Sequence, residues 1–518
     1  MSTVLTRTKT AGKPRPPQTE HSFAQKGAWA AAASGMNLLG RFVVQIVLAR
    51  VLGLQGLGQF VYLSWIIEIG NLVFCVGLPN SLTRYSAELL GQHQPEQAAA
   101  FARWAYTRFV AAAMVGALVV GMVFCWHSQF VAGKAALPVM IALFLIRSLE
   151  NINLAYLTGL QRFALLTRLQ LASSAVQVAG VTLGASCWGW MGAMLGCIAG
   201  SLLPAVYSTS MLRGSAFDAK IAAPLRRRTW HYALNTWLAM LLSAVVWSRT
   251  EIFFIERYWG IRQVAIFSVG LTLATTVQQV VNLFSGAFLP HFAGLAGAGK
   301  HAVIQRHYEM ATKLMAFVII PASLGGAAIS PVLVPMLFGA NFVPAVPSAI
   351  VLVVTAALSF ATIGSSLMYA MEKSGFIATW SAIGAVVSVT AAIIVVPSQG
   401  AWGAVWCRLV LQWSMIGLAT WFITRRLRFS FPFQAVGRMM LAGLFCGAAA
   451  WCAVRANPNP VAALMVAVPL GAAVYVASVR ALRVLNVEEQ RRLLMFSERL
   501  PVPVRRLSQH LLQRVLAK

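Results

Sequence analysis

The 518 residues are 59% hydrophobic and only 10% charged, whereas a soluble domain carries about 25% charged residues. This composition excludes an ordinary soluble enzyme. The apolar residues form uncharged runs along the whole chain, each of about twenty residues, the length at which a helix spans the hydrocarbon core and satisfies its own backbone. The runs do not alternate apolar and polar residues as a membrane β-barrel requires. The sequence therefore predicts an all-α integral membrane protein.

In chain order, the apolar runs predict about fourteen transmembrane helices. The predicted spans lie near residues 28–49, 58–78, 104–126, 136–158, 167–187, 190–212, 231–254, 263–288, 314–337, 347–371, 376–397, 402–424, 437–454 and 461–481. The connections on one side of the membrane are too short to fold as separate domains.

The formal net charge of +28 would also suit a nucleic-acid-binding protein, so the placement of the 41 Lys and Arg residues matters. Most of them fall in the tails and in the connections on one side of the predicted helices. The connections on the other side hold only Arg50, Lys134, Arg257, Arg262 and Arg455. This asymmetry follows the positive-inside rule and predicts that both termini lie in the cytoplasm. Basic residues facing anionic lipid headgroups explain the charge, and no nucleic acid is expected as a partner.

Two parts of the chain resemble each other, which predicts an internal repeat. The matching segments are 49–60 with 256–267, 78–79 with 289–290, and 189–193 with 400–404. Six spans separate equivalent points, so the repeats run parallel and are related by an axis along the membrane normal. The predicted organisation is a basic cytoplasmic tail (1–27), a six-helix lobe (28–212), a basic cytoplasmic linker (213–230), a second six-helix lobe (231–424), an added helix pair (425–482) and an amphipathic basic cytoplasmic tail (483–518).

Charged residues inside membrane spans are energetically costly, so each one is a candidate functional residue. Span 1 carries Arg41 between Asn37 and Gln45 on one helical face, which makes Arg41 the foremost candidate for binding substrate. Three further in-span arginines are candidates for the same role: Arg147, Arg249 and Arg408. The in-span acids are candidates for binding a coupling ion: Glu68, Glu150 and Glu251.

Each of these charges also has a purely structural interpretation. Arg147 and Glu150 are spaced to form an ion pair within one helix, and Glu68 would neutralise Arg41. Arg249 lies near the end of its span, where a long side chain reaches water. Taken together, four in-span arginines against three acids predict a mildly cationic cavity and an anionic cargo, because a guanidinium binds phosphate with two parallel hydrogen bonds.

Other motifs predict no cofactor. The chain lacks the GxxxxGK[ST] loop of ATP-hydrolysing proteins. His291, His301 and His307 share one connection, but their spacing matches no metal-binding signature. No metal and no organic cofactor is therefore expected, and the coupling ion would be a proton or a sodium ion.

The segment Ala49–Gln59, read as Ala-Arg-Val-Leu-Gly-Leu-Gln-Gly-Leu-Gly-Gln, resembles the polysaccharide transporter family. These are the O-antigen-type flippases of the multidrug/oligosaccharidyl-lipid/polysaccharide exporter superfamily. The resemblance covers about residues 28–424 and continues at 77–79, 84–85, 159–163, 337–339, 344–345 and 400–404. It implies two lobes around a V-shaped polar or cationic cavity, and an acidic residue near the end of span 7, a position that Glu251 fits.

The resemblance further implies a flippase that moves an undecaprenyl-diphosphate-linked oligosaccharide across the bacterial inner membrane by alternating access. Its expected partners are that lipid-linked saccharide, membrane lipids and other membrane proteins of polysaccharide assembly. Two other transporters remain open, a flippase for a peptidoglycan lipid precursor and a cation-coupled drug antiporter. A membrane glycosyltransferase or polymerase acting on the same lipids is the alternative from a different class. The short outer connections favour a transporter over such an enzyme.

Overall fold

A computed structural model describes residues 20–126, 136–212, 221–247 and 250–483. Within these ranges the chain is helical and contains no β-strand. The helices are α1 (Glu20–Phe74), α2 (Leu78–Gly91), α3 (Pro95–Trp126), α4 (Leu137–Gly159), α5 (Phe163–Leu212), α6 (Ala223–Trp247), α7 (Glu251–Trp259), α8 (Ile261–Gly297), α9 (His301–Phe338), α10 (Val346–Thr355), α11 (Ile363–Ala370), α12 (Ser374–Arg425), α13 (Phe433–Ala456) and α14 (Pro460–Ala481).

The predicted all-helical membrane fold is confirmed. Among the described residues, nine segments are long and apolar enough to cross a membrane. The ranges α1, α5 and α12 each contain two predicted spans, which are joined at an internal glycine with non-helical φ and ψ angles. Most of the predicted tails, 1–27 and 483–518, lies outside the described residues, and the predicted domain boundaries stay a prediction.

Four glycines reverse or redirect the chain between paired spans. Gly53, Gly189 and Gly400 interrupt α1, α5 and α12, and Gly260 separates α7 from α8. Their φ angles of 65°, 62°, 60° and 80° combine with extended ψ values of −165°, −142°, −139° and 177°. An L side chain rarely adopts this conformation, which is why glycine stands at each position. Gly53 matches Gly260 and Gly189 matches Gly400 in the sequence repeat, so the repeat extends to backbone geometry.

The two arms of α5 fold back on each other at Gly189 as a tight helical hairpin. A Cβ atom at Gly184 would overlap the carbonyl group of Gly192, and a Cβ atom at Gly180 would lie 3.1 Å from the Cα atom of Gly196. Small residues thus allow the two backbones to touch, as in close-packed membrane helices. The four-residue glycine spacing in the sequence corresponds to this contact.

The structure corrects two details of the prediction. The predicted span 347–371 contains a 3₁₀ segment, Ala356–Thr362, between α10 and α11. The predicted span 231–254 overlaps α6 and α7, and residues 248–249 between them lie outside the described part of the chain. In the sequence, the helical spacing of Leu82, Tyr85 and Leu89 predicts an amphipathic helix lying on the inner membrane surface, and this segment is helical. However, the apolar face of α2, including Leu82, Tyr85 and Leu89, is buried against α3, α4 and α6 and does not lie on a lipid surface.

Candidate functional site

We call the end of the molecule that carries the four reversing glycines the hairpin end, and the end that carries α2 and residues 221–228 the basic end. At the hairpin end one apolar core includes residues of both halves of the repeat. It contains Leu48 and Leu57 of α1 together with Phe267 of α8 and Phe338 of α9, each no more than 1% exposed. The halves are therefore packed together at this end.

Polar contacts reinforce the packing at the hairpin end. Arg50 of α1 donates from Nε to the Leu337 carbonyl oxygen of α9 at 2.7 Å, and from Nη2 to the Met336 carbonyl oxygen. These carbonyls belong to the last turn of α9, where helix carbonyls have no partner within the helix. The Tyr62 hydroxyl donates to the Glu256 carboxylate across the same interface. Arg50 thus caps a helix of the opposite half.

Replacing Arg50 with alanine should loosen the hairpin end. A hydrogen bond to a charged group contributes about 1.5–3 kcal/mol when buried, and less here because Arg50 is exposed. In a cysteine-free background, Leu57→Cys should react with a membrane-impermeant maleimide roughly fivefold faster when Arg50→Ala is added. Arg455→Ala is the control, because Arg455 stacks on Trp451 of its own helix. Equal labelling in both backgrounds would show that Arg50 does not hold the halves together.

At the basic end the two halves have separate cores. One contains Leu82 and Phe101 with other residues of α2–α4 and is flanked by residues of α6. The other contains Phe292, Ile304 and residues of α8–α14. Among the described residues, the first cluster includes no residue of α8–α14 and the second includes none of α1–α6. Apart from α6, the halves are therefore separate at this end, and we call the space between them the cleft.

Arg41 lies at the closed end of this cleft. Its neighbour one turn along α1, Gln45, is 9% exposed and donates to Ser268 Oγ of α8 at 3.5 Å, a contact between the halves. Arg41 lies about 6 Å closer to the basic end on the same helical face, and its side chain is exposed. It forms no ion pair with any described residue, so Glu68 does not neutralise it directly. The side chain of Asn37 lies outside the described part of the chain.

Arg147 forms the ion pair expected from its spacing. Its Nη1 atom lies 3.1 Å from Glu150 Oε2, with 30% of the Arg147 side chain and 14% of the Glu150 side chain exposed. Glu68 of α1 is close enough to Arg147 to attract it electrostatically, and the thiol of Cys197 on α5 is a further neighbour. This group therefore joins three helices of the first half and contains one more acid than base.

Glu251 and Arg408 form a deeply buried ion pair that sequence reasoning did not anticipate. Arg408 Nη1 of α12 lies 3.2 Å from both carboxylate oxygens of Glu251 at the start of α7, and each side chain is 4% exposed. The two residues are 157 positions apart. Trp259 helps to hold α7 against α12, since its Nε1 atom donates to the Val396 carbonyl oxygen at 2.8 Å. Arg249 lies outside the described residues.

The helix α6 connects the two halves at the basic end. It packs against α12 of the second half, but Trp237 donates from Nε1 to the Leu72 and Val73 carbonyl oxygens at the end of α1, at 3.1 and 3.0 Å. Nearer the basic end, Arg228 pairs with Glu88 of α2 at 2.8 Å. The sequence signal for these contacts is the run of three arginines at 226–228, which is followed by Trp230, Tyr232 and Trp237.

Two of the described histidines lie close together. His291 Nε2 and His307 Nδ1 lie 2.7 Å apart at the basic ends of α8 and α9. No group of three metal-ligating side chains occurs among the described residues.

The fold is that of the MOP-superfamily transporters. A structure described as the inward-facing conformation of a multidrug resistance MATE family transporter aligns with a TM-score of 0.61 and 15% identity, covering 78% of this chain and 98% of that one. The lipid II flippase MurJ in an inward closed conformation aligns with a TM-score of 0.66 and 13% identity, covering 87% and 97%. A MOP superfamily transporter from Pyrococcus furiosus aligns with a TM-score of 0.54 and 15% identity, covering 78% and 95%.

The sequence itself identifies the family. Residues 47–347 match the family described as polysaccharide biosynthesis protein. This match covers more than half of the chain, so the protein is a multi-pass membrane protein belonging to that family. No curated protein matches the sequence.

Proposed function

We propose that this protein is a flippase for an undecaprenyl-diphosphate-linked oligosaccharide in the bacterial inner membrane, and that it serves the biosynthesis of a surface polysaccharide such as exopolysaccharide, O-antigen or capsule. Arg41 is the observation that carries the proposal. An exposed guanidinium without an ion-pair partner, at the closed end of a cleft between two halves, provides a place for a diphosphate. Family membership supports a cargo used in polysaccharide synthesis.

The pairing of the in-span arginines supports an anionic headgroup at Arg41 in particular. The number of in-span charges alone did not distinguish among the arginines. Arg147 and Arg408 each have a carboxylate partner within 3.2 Å, so they hold acids in place and are less available to a cargo. Arg41 is then the described in-span arginine that faces the cleft without such a partner. In this mechanism the diphosphate binds Arg41, the lipid tail stays in the bilayer, and the halves separate at the hairpin end while closing at the basic end.

The same pairs favour a different residue for binding the proposed coupling ion. Glu251 is neutralised by Arg408 at 4% exposure, so a proton or sodium ion would have to displace a buried guanidinium. Glu68 is exposed and is the stronger candidate for binding the coupling ion, with Arg147 beside it. A drug antiporter that binds cations would need an available buried carboxylate, and Glu251 does not provide one.

Arg41→Ala should reduce the amount of surface polysaccharide at least about tenfold, since a charge-assisted hydrogen bond contributes about 1.5–3 kcal/mol. Arg41→Lys should retain part of the activity, because lysine keeps the charge but not the paired donors. The measurement compares a gene deletion complemented by wild type, by each variant and by the Arg455→Ala control at equal protein levels. Lipid-linked saccharide should accumulate on the cytoplasmic leaflet of vesicles from the Arg41→Ala strain.

Other outcomes of the deletion would contradict the proposal in distinct ways. Loss of viability with accumulated peptidoglycan precursor would identify a flippase for that precursor. Normal polysaccharide with altered efflux of cationic dyes would identify an antiporter. Saccharide that reaches the outer leaflet but stays unpolymerised would identify an enzyme of assembly.

A further inference from the structure

The wall of the cleft opposite Arg41 carries a row of hydroxyl groups on α8. Thr272 and Thr276 follow Ser268 at intervals of four residues, and Thr275 lies beside them, so all share the helical face that Ser268 turns toward α1. Exposure increases along the row toward the basic end. Ser268 and Thr272 are 1% and 8% exposed, and Thr275 and Thr276 are half-buried. The row therefore begins where the halves touch and continues along the open cleft.

The protons of these hydroxyl groups are already in use. Thr272 Oγ1 donates to the Ser268 carbonyl oxygen at 2.8 Å, Thr275 Oγ1 to the Leu271 carbonyl oxygen at 2.8 Å, and Thr276 Oγ1 to the Thr272 carbonyl oxygen at 2.7 Å. A hydroxyl group has one proton and two lone pairs. Each threonine oxygen can therefore offer its side of the cleft only hydrogen-bond acceptors.

Ser268 is an example of a hydroxyl group that donates within its own helix and accepts a hydrogen bond from the opposite half. Its hydroxyl donates to the Ala265 carbonyl oxygen at 2.8 Å, and the same oxygen accepts from Gln45 Nε2 of the opposite half at 3.5 Å. The three threonines continue this arrangement beyond the contact between the halves. Thr272 lies one helical turn from Ser268, as Arg41 lies one turn from Gln45, so the two walls face each other at the same depth.

We propose that Thr272, Thr275 and Thr276, the hydroxyl row, form the binding surface for the sugar hydroxyl groups of the lipid-linked saccharide. This inference rests on the proposed function. A phosphate is an acceptor and gains nothing from an acceptor-only surface, whereas pyranose hydroxyls donate to it. Arg41 has only donors and suits the diphosphate. The donor groups on α1 thus suit the diphosphate of the cargo, and the acceptor groups on α8 suit its first sugar.

The test uses the purified full-length protein in lipid nanodiscs and two probes, undecaprenyl diphosphate and undecaprenyl-diphosphate-linked N-acetylglucosamine. The double variant Thr275→Val with Thr276→Val keeps the shape of each side chain and removes the oxygen. It should bind the sugar-bearing probe about tenfold more weakly, as expected for two lost hydrogen bonds, and bind undecaprenyl diphosphate as wild type does. Arg41→Ala should weaken the binding of both probes.

The matched control is Thr420→Val. Thr420 is half-buried on α12 and donates to the Ile416 carbonyl oxygen at 2.9 Å, so it has the same local bonding at another place. The inference is overturned if the double variant binds the sugar-bearing probe as wild type does, if it loses both probes equally, or if Thr420→Val gives the same loss. A wild type that binds both probes equally also overturns it and leaves the proposed function standing. A wild type that binds neither probe contradicts the proposed function itself.

Discussion

Arg408→Ala is expected to destabilise the protein by about 3–5 kcal/mol, because it leaves the Glu251 carboxylate buried without a counter-charge. The two side chains are each 4% exposed, and both carboxylate oxygens lie 3.2 Å from Arg408 Nη1. Water does not reach the carboxylate to replace the lost partner. The measurement is the temperature at which detergent-purified protein loses its monodisperse peak in size-exclusion chromatography.

The double variant Arg408→Met with Glu251→Gln separates pairing from packing. It removes both charges while keeping side chains of similar size, so it should recover most of the stability that Arg408→Ala loses. If the double variant is as unstable as Arg408→Ala, the contribution of Arg408 comes from packing and not from its charge. The same variant tests coupling, because transport that persists in it would show that Glu251 does not bind the coupling ion.

Gly184→Val is expected to disrupt the α5 hairpin, with a loss of at least about 3 kcal/mol. The Cβ atom of any residue at Gly184 would overlap the backbone of Gly192, and the reverse holds for a Cβ atom at Gly192. A side chain could rotate away from such an overlap, but a backbone carbonyl in a helix cannot. The yield of monodisperse protein after membrane extraction should therefore fall sharply for either substitution.

Gly417→Ala provides the control for the hairpin variants. Gly417 also lies in a long membrane helix, α12, but a Cβ atom there would have no neighbour within 4 Å. Alanine should be tolerated at this position and even stabilise the helix by about 0.5–1 kcal/mol. A similar loss of yield for Gly417→Ala and Gly184→Val would show that helix glycines in general, and not the contact between the two arms, determine folding.

The sequence was sufficient for the architecture because each element depends on local pattern. Apolar run length predicts the spans, and the residues around each glycine are enough to match Gly53 with Gly260 and Gly189 with Gly400. The Arg147–Glu150 pair is also local, since a spacing of three residues brings the side chains together on one helix. The 3₁₀ segment between α10 and α11 was not predicted, because the apolar run continues through it without a change of pattern.

The candidate site depended on distant contacts, and there the sequence was less informative. Arg408 and Glu251 were assigned separate roles, in binding cargo and in coupling, although they form one ion pair. Nothing local in either segment indicates a partner 157 residues away. The position of Arg41 could be predicted within its span, but not its place one turn beyond the contact between the halves. That place depends on how α1 packs against α8.

The uneven distribution of apolar packing gives the empty protein a preferred resting state. Separating the halves at the hairpin end would expose residues such as Leu48, Leu57 and Phe267 to water, at roughly 25 cal/mol for each Å² of apolar surface. At the basic end the halves already have separate cores, and among the described residues only α6 packs against both. The empty protein is therefore expected to return by itself to the conformation that is open at the basic end.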